Sequence, residues 1–309
     1  MSGAAERGAM ELTRENYYSI EANRAYMSNS QWGDWQKCEA AARAQHVIGG
    51  DPDRPGTVTD AGGYCPPDKD YFVLGRWMHE MVLQSPGWRQ AADDLSHLTL
   101  GRSGVMRLKK GDWNQSGELC QRMLKRWQQE TDLHGLLAGE KEVMLTGSIA
   151  GIPWRCAIDS LDVPRRLVGD LKTPRSVAAD WVNTRLDSWA DGSPKRVKVP
   201  WYEVHNYPRQ LAGVYRYMAW LHTGEWLDPT IVAIVKYPEP VVRAYGWSEE
   251  QVKARGEWEL ERIKERMPRV VAVRDGDAEP TRCGECQYCR ITDRSYGDVM
   301  VDELAEVAP

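Results

Sequence analysis

Two acidic segments, Cys156-Ala157-Ile158-Asp159 and Gly169-Asp170-Leu171-Lys172-Thr173, decide the fold of this chain. Both are typical of strands, and the polar break Val163-Pro164-Arg165-Arg166 between them is typical of a hairpin turn. If the loop consists of Pro164 and Arg165, Asp159 lies directly opposite Asp170, whereas a loop one residue longer breaks that register. Alternation along the second strand puts Lys172 on the same face as Asp170. The segments therefore predict two carboxylates and a lysine at one place.

This predicted cluster has a specific chemistry. Carboxylates held close together repel each other unless a cation lies between them, and hard oxygen ligands suit Mg²⁺ or Mn²⁺. A cation beside a lysine can hydrolyse a phosphodiester, because the ion activates water and stabilises the charge on the leaving oxygen. For an isolated Asp-x-Lys the alternative is an exposed hairpin with a solvated ion pair, since the tripeptide is common. The rest of the chain must decide between the two.

Two further segments support the site. Gly75-Arg76-Trp77-Met78-His79-Glu80 begins an apolar segment, and a glycine four residues before a histidine on a helix leaves room for an ion or backbone beside the imidazole. The segment from Tyr207 to Tyr215 opens a helix rich in aromatic residues. Taken alone, each has a structural interpretation, as a hydrogen-bonded histidine and as aromatic core packing.

In the order Gly-x-x-x-His, Asp, Asp-x-Lys-Thr and Gln with a following Tyr, these segments resemble the PD-(D/E)XK nuclease superfamily. The resemblance is closest to its RecB-type branch, which includes phage exonucleases similar to exodeoxyribonuclease VIII and the iron–sulfur exonucleases of CRISPR adaptation. It covers roughly residues 15 to 292. The resemblance implies an α/β fold: a restriction-endonuclease-like mixed β-sheet flanked by helices, with helical additions near the N-terminus and a cysteine-bound C-terminal segment.

The resemblance also implies the ligands of the catalytic cation. His79, Asp159 and Asp170 would bind it through their side chains, and Leu171 would add its backbone carbonyl. Lys172 would orient the attacking water or stabilise the transition state. Elementary electrostatics agrees on the lysine, since its ammonium is a point charge suited to developing negative charge.

Gln210 would position the water, the lysine or a DNA phosphate. One departure from the family's pattern affects the residue that follows it. Relatives place the tyrosine four residues after the glutamine, whereas Tyr215 is five after Gln210. Residues five apart on an α-helix do not share a face well, so the sequence predicts a role for Gln210 and little for Tyr215.

A second strong signal is Cys283-Gly284-Glu285-Cys286-Gln287-Tyr288-Cys289. Disulfides within so short a run would be strained, and the total of seven cysteines is odd. No signal peptide is evident, which predicts a reducing compartment and favours a metal over disulfides. No cysteine or histidine follows Cys289, so a fourth ligand must come from upstream.

Cys38 is the best candidate for the fourth ligand, because Trp35-Gln36-Lys37-Cys38 resembles the N-terminal cysteine site of iron–sulfur nucleases in this superfamily. The resemblance implies one iron–sulfur cluster, of the 4Fe-4S type, held by Cys38 and the three C-terminal cysteines. Zinc is the alternative, because four cysteines alone do not separate the two metals.

Composition limits how the chain binds DNA and where it acts. With 40 lysines and arginines against 45 acidic residues, the net charge of −5 argues against nucleic-acid binding by bulk charge. Local basic patches are then needed, and the candidates are Arg102, Arg107, Lys109 and Lys110; Arg122, Lys125 and Arg126; and Lys195, Arg196 and Lys198. No apolar run is long enough to span a bilayer. We predict a disordered N-terminus over residues 1–11, one nuclease domain over 12–292 and an acidic tail over 293–309.

Together these features predict a metal-dependent DNA exonuclease of phage type that hydrolyses phosphodiester bonds from DNA ends in recombination or DNA processing. The resemblance alone implies a single-strand annealing protein as partner and a cytoplasmic location, in the host if the chain is phage-encoded; a homo-oligomer is left open. The alternatives are a non-catalytic DNA-binding or assembly module with a structural metal, and an endonuclease, or a nuclease acting on single strands or RNA, of the same superfamily. Asp159, Asp170 and Lys172 together argue against the module, since a degenerate module has no need of all three.

Overall fold

The computed structural model describes residues 10–67, 70–100, 103–188, 194–204, 206–237 and 239–293. The chain divides into two compact units. Unit 1 comprises Met1–Pro67 and Arg266–Pro309, and unit 2 comprises Asp68–Glu265. Most of the predicted disordered N-terminus and of the acidic tail lies outside the described residues, and the single domain over 12–292 stays a prediction.

The helices are named in chain order. They are α1 Ile20–Ala25, α2 Asn29–Lys37, α3 Glu39–Arg43, α4 Asp70–Leu83, α5 Trp88–His97, α6 Gln115–Gln129, α7 Thr131–His134, α8 Trp201–Val204, α9 Tyr207–Gln210, α10 Arg216–Thr223, α11 Glu249–Asp275 and α12 Gln287–Thr292. Two π-helical turns, Ala44–Ile48 and Leu211–Tyr215, and the 3₁₀ turn Gly135–Leu137 complete the helical segments of the described residues.

The strands are β1 Thr99–Leu100, β2 Ser103–Gly104, β3 Glu140–Ile149, β4 Ile152–Asp162, β5 Leu167–Lys172, β6 Asp180–Ser188, β7 Pro194–Val199, β8 Asp228–Val235 and β9 Val241–Tyr245. The central sheet of unit 2 has the order β3-β4-β5-β8-β9, while β1-β2 and β6-β7 are separate pairs. Only β5 and β8 run parallel within the central sheet, and its other neighbours are antiparallel. The predicted mixed sheet flanked by helices is confirmed.

Alternation along the strands gives the central sheet two apolar faces. Leu171, Val232 and Ile234 pack in one core cluster with residues of α4, α5 and α6. Ile231 and Ala233, the intervening residues of β8, pack instead with aromatic residues of α8 and α9. In the parallel register Asp170 is beside Ile231 and Lys172 beside Ala233. Asp170 and Lys172 therefore belong to the face that the aromatic residues cover.

The hairpin β4–β5 sets the position of the two aspartates. Its ladder pairs Asp162 with Leu167 and Ser160 with Gly169, so the next position along places Asp159 opposite Asp170. The loop is the four-residue turn 163–166, closed by a 3.0 Å hydrogen bond from Arg166 N–H to the Val163 carbonyl, rather than the two-residue loop of the prediction. The longer loop takes one residue from each strand, so it leaves the register unchanged. The register is therefore the one that the predicted pairing requires, although the ladder ends one pair before the aspartates.

In unit 1 the N-terminal helices pack against the C-terminal segment. Glu39 opens α3, and both of its carboxylate oxygens accept hydrogen bonds from Arg269, at 3.2 and 2.8 Å. One of these oxygens also accepts from the backbone N–H of Thr281 at 2.9 Å, and Ala40 N–H donates to the Thr281 carbonyl at 3.2 Å. Paired charge-assisted hydrogen bonds of this kind fix geometry as well as energy. They hold the C-terminal segment beside the start of α3.

Candidate active site and cysteine site

Five of the predicted site residues meet where α4, β4 and β5 come together in unit 2. The Nδ1 atom of His79 on α4 is 3.7 Å from Oδ1 of Asp159 on β4. The other carboxylate oxygen of Asp159 accepts a 2.7 Å hydrogen bond from the backbone N–H of Leu171 on β5. Lys172 forms an ion pair with Asp170, with Nζ 2.5 Å from Oδ2, and its Nζ donates to the Leu171 carbonyl at 3.4 Å.

Gly75 lets α4 pass close to the end of β5. A Cβ atom at this position would be 3.3 Å from the Thr173 hydroxyl, a contact tighter than most side chains tolerate. The sequence predicts that Gly75 leaves space for an ion or backbone beside His79. In the structure the group next to Gly75 is the side chain of Thr173. His79 lies one helical turn further along α4, which brings its imidazole to Asp159.

Burial and mutual charge shape the electrostatics of the site. Asp170 is 3% exposed. Burial raises the pKa of both Asp159 and Asp170, and the nearby Lys172 opposes that rise. Burial disfavours the charged form of Lys172, but Asp170 and Asp159 outweigh it, so the pKa of the lysine is raised. Burial, with Lys172, lowers the pKa of His79 to about 4. Its imidazole is thus neutral near pH 7, the form that binds metals.

The donor set fits a hard divalent cation. Asp159 and Asp170 supply carboxylate oxygens, the Leu171 carbonyl is directed at the same place through its contact with Lys172, and His79 adds a neutral nitrogen. Oxygen ligands with one imidazole suit Mg²⁺ or Mn²⁺. The family's cation therefore fits the residues present, and these four residues would hold it.

Two residues near the cluster were missed by the sequence reasoning. The ring centroid of Tyr207 is 5.2 Å from Nζ of Lys172, a cation–π distance. Glu142 on β3 is close enough for its charge to favour the protonated forms of His79 and Asp159. For His79 this influence is smaller than that of burial, and the pKa stays lowered. The sequence contains a signal for each residue. Tyr207 is about one helical turn before Gln210. A hairpin with a two-residue turn at Ala150 and Gly151 pairs position 142 with position 159, which puts Glu142 opposite Asp159.

The π-helical turn corrects the expectation for Tyr215. α9 ends at Gln210, and the wide turn Leu211–Tyr215 follows, with Arg216 N–H bonded to the Leu211 carbonyl five residues earlier. A turn with hydrogen bonds over five residues is wider than an α-helical turn, so the spacing rule of a regular α-helix does not apply across it, and such turns are frequent at functional sites. Tyr215 packs in the same aromatic cluster as Tyr207. The role of Gln210 stays a prediction.

The cysteine quartet forms as predicted. The Sγ atoms of Cys38, Cys283, Cys286 and Cys289 all lie within 4.8 Å of one another in unit 1. Cys38 ends α2 and begins α3, where its Sγ accepts from the backbone N–H of Ala41 at 3.5 Å. The Sγ atoms of Cys283 and Cys286 accept backbone N–H groups at 3.3 and 3.4 Å. Hydrogen bonds to sulfur stabilise thiolates and tune metal centres.

The spacing of the sulfurs bears on the metal. Cys289 Sγ is 3.6 Å from Cys38 Sγ and 3.9 Å from Cys283 Sγ. Four thiolates about 2.3 Å from one zinc ion lie about 3.8 Å from one another at the corners of a tetrahedron. In a four-iron cluster each thiolate binds a different iron atom, which spreads the sulfurs farther apart. The donors therefore fit a metal site.

The residues of the candidate DNA-binding patches differ in exposure, and their role in DNA binding stays a prediction. Arg107 stacks 3.9 Å from the Trp113 ring centroid and bonds to the Gly111 carbonyl, so it is a structural residue. Arg126 pairs with Glu130. The exposed members are Lys109, Lys110, Arg122, Lys125 and Lys198. Arg102 and the side chains of Lys195 and Arg196 lie outside the described residues.

Comparison with known proteins places the chain in a family. Residues 28–292 match the family described as a PDDEXK-like domain of unknown function (DUF3799), and the chain belongs to that family. Its fold is similar to that of a protein from Eubacterium rectale named "Putative exonuclease", with a TM-score of 0.73 and 22% sequence identity over 97% of this chain and 100% of the other. No curated protein matches the chain. The site described above thus lies on a nuclease-type fold.

Hydropathy gives a separate finding. Among the described residues, the helices are too short or too polar for any of them to cross a bilayer.

Proposed function

We propose that this protein is a divalent-cation-dependent DNA exonuclease. The observation that carries the proposal is the convergence of His79, Asp159, Asp170 and Lys172 on one place, on a PDDEXK-like fold. When bound, the cation supplies an activated water and stabilises charge on the leaving oxygen. The degenerate-module alternative has no use for a buried aspartate paired with a lysine and faced by a neutral histidine.

The site residues would have different roles in catalysis. Asp159, Asp170, His79 and the Leu171 carbonyl would hold the cation. Lys172, anchored by Asp170, presents its ammonium to the scissile phosphate, where it stabilises negative charge that builds up in the transition state. Burial of these groups strengthens each of these electrostatic interactions, because little water screens them.

The proposal also specifies that cleavage begins at DNA ends. It is supported by the resemblance to RecB-type phage exonucleases and by the name of the structurally similar Eubacterium rectale protein. A place in phage recombination, with a single-strand annealing partner, rests on the resemblance alone. An endonuclease would use the same residues, so only the form of DNA that is cut separates the two.

Lys172→Ala tests the proposed chemistry. We expect it to lower the rate of duplex DNA cleavage by on the order of a thousandfold or more, while Mn²⁺ still binds, because the lysine acts on phosphate rather than on the cation. Cleavage of a fluorescently end-labelled duplex is measured with Mg²⁺, with Mn²⁺ and with EDTA. The exposed Lys264→Ala, outside every candidate DNA-binding patch, is the matched control. Loss of Mn²⁺ binding in Lys172→Ala would contradict the assigned role.

Tyr207 offers a milder prediction. Its ring lies against the ammonium of Lys172, and contacts of this type contribute about 0.5–2 kcal/mol. Tyr207→Leu is therefore expected to lower the single-turnover rate roughly threefold to thirtyfold at saturating cation, at about 1.4 kcal/mol per tenfold. Tyr207→Phe, which keeps the ring, is expected to stay close to the wild-type rate. Equal losses in the two variants would show that the hydroxyl matters instead of the ring.

For the cysteine site we propose a structural metal that closes unit 1. The sulfur spacing supports one zinc ion, and the iron–sulfur cluster implied by the resemblance is the alternative. Its ligands are all thiolates, so it leaves no open position for a substrate. Its contribution is to stability rather than to cleavage.

A further inference from the structure

Glu142 stands in line with the two predicted aspartates. The β3–β4 ladder pairs Lys141 with Ser160 and Val143 with Ile158, so position 142 is opposite Asp159. The β4–β5 ladder ends at Ser160 and Gly169, and the same register carried one position further puts Asp159 opposite Asp170. Three carboxylates thus occupy one row across three adjacent strands, whose spacing is about 4.8 Å. Asp159 is the middle one.

The regular ladder is broken at Glu142. The pair Glu142–Asp159 is missing from the otherwise continuous register, and Glu142 has φ 49°. This left-handed conformation is uncommon for a residue other than glycine and is rare within a strand. The row of carboxylates therefore coincides with a local distortion of the sheet.

Ser85 fixes the carboxylate of Glu142. This serine follows the end of α4, the helix that carries His79, and it is 1% exposed. Its hydroxyl donates a 2.8 Å hydrogen bond to Oε2 of Glu142. His79 on α4 thus contacts the row at Asp159, and Ser85, two residues after the helix, contacts it at Glu142. A carboxylate used only as a solvated strand residue needs no buried anchor.

The sheet order brings the three carboxylates close together. β3 and β5 flank β4, so Glu142 is on the side of Asp159 away from Asp170. The charge of Glu142 reaches both His79 and Asp159. Neighbouring carboxylates repel each other, and a divalent cation beside Asp159 would relieve that repulsion.

We propose that Glu142 is a further cation-binding residue of the nuclease site, held next to Asp159 by Ser85. The inference rests on the proposed function and adds a carboxylate that the family resemblance did not supply. It predicts that the affinity for the cation depends on the negative charge at position 142, and to a smaller extent on the serine that fixes it.

Direct titration of the full-length protein with Mn²⁺ by calorimetry tests the proposal. Glu142→Gln keeps the size of the side chain and removes its charge, and we expect Kd for Mn²⁺ to rise on the order of tenfold to a hundredfold. Ser85→Ala is expected to raise Kd by less, and Glu142→Asp, which keeps the charge, by less than the glutamine variant. Glu140→Gln is the matched control, because Glu140 is exposed two residues away on the same strand. Its Kd is expected to equal that of the wild type.

The outcomes are separable. Wild-type affinity in Glu142→Gln, with a melting temperature in EDTA equal to that of the wild type, overturns the inference and leaves the nuclease proposal intact. Equal losses in Glu142→Gln and Glu140→Gln also overturn it, since the effect would then be general surface charge. A wild-type protein that neither binds Mn²⁺ nor cleaves DNA contradicts the proposed function itself.

Discussion

Asp170→Ala is expected to abolish DNA cleavage. The substitution removes a ligand of the cation and the anchor of Lys172 in one step, so we expect the rate to fall by on the order of a thousandfold or more. The measurement is the initial rate of release from an end-labelled duplex at saturating Mg²⁺ or Mn²⁺. Asp159→Ala is expected to give a loss of the same order, because its carboxylate faces both His79 and β5.

Two control variants distinguish loss of catalysis from loss of folding. Asp170→Asn keeps the shape of the side chain, and its melting temperature should stay close to that of the wild type while cleavage is lost. The exposed Asp93→Asn is expected to retain full activity. Activity above about a tenth of the wild-type rate in folded Asp170→Ala would show that the site is assigned wrongly, since loss of a required ligand costs more than that.

Cys38→Ser is expected to have the largest effect on stability. Metal bound only by the folded state contributes its binding free energy to folding, so loss of one thiolate is expected to lower the melting temperature by on the order of 10 °C. Metal content per chain, measured by mass spectrometry on anaerobically purified protein, should fall from about one zinc ion to much less. Cys65→Ser is the matched control, because Cys65 is in unit 1 but outside the quartet.

The same measurement decides between the two metals. Colourless protein with zinc agrees with the sulfur spacing. Brown protein with iron and sulfide would contradict the zinc assignment and support the cluster implied by the resemblance. Protein without any metal after anaerobic purification would contradict both and leave four free thiols.

Several features of the site could be predicted from short-range patterns. The Asp-x-Lys alternation fixes which face Lys172 occupies, and the hairpin has the same register whether its loop has two residues or four. Both inferences depend on local geometry that few residues determine. Three thiolates in seven residues indicate that a fourth donor is needed, but only the resemblance to iron–sulfur nucleases implied that this donor is Cys38, 251 residues before Cys289.

Other features depend on how distant elements meet. The sequence predicts a regular α-helix around Gln210, because the π turn Leu211–Tyr215 that follows this residue has no simple sequence signal. The contact between Tyr207 and Lys172 requires α9 to pack on the face of β5, which no periodicity specifies. Glu142 could have been found by extending the register through the Ala150–Gly151 turn, whose residues have φ 53° and 75°. Such positive values at both positions are typical of tight hairpins.

The most direct test of the central claim is cleavage of linear and of covalently closed circular duplex DNA by the purified protein, with Mg²⁺, with Mn²⁺ and with EDTA. A cation-dependent exonuclease degrades the linear duplex, releases label from its ends and leaves the closed circle intact, and EDTA stops it. Cutting of the closed circle at a similar rate would contradict attack from ends and identify an endonuclease. Both DNAs remaining whole with either cation, while folded protein binds them, would contradict the claim of a nuclease.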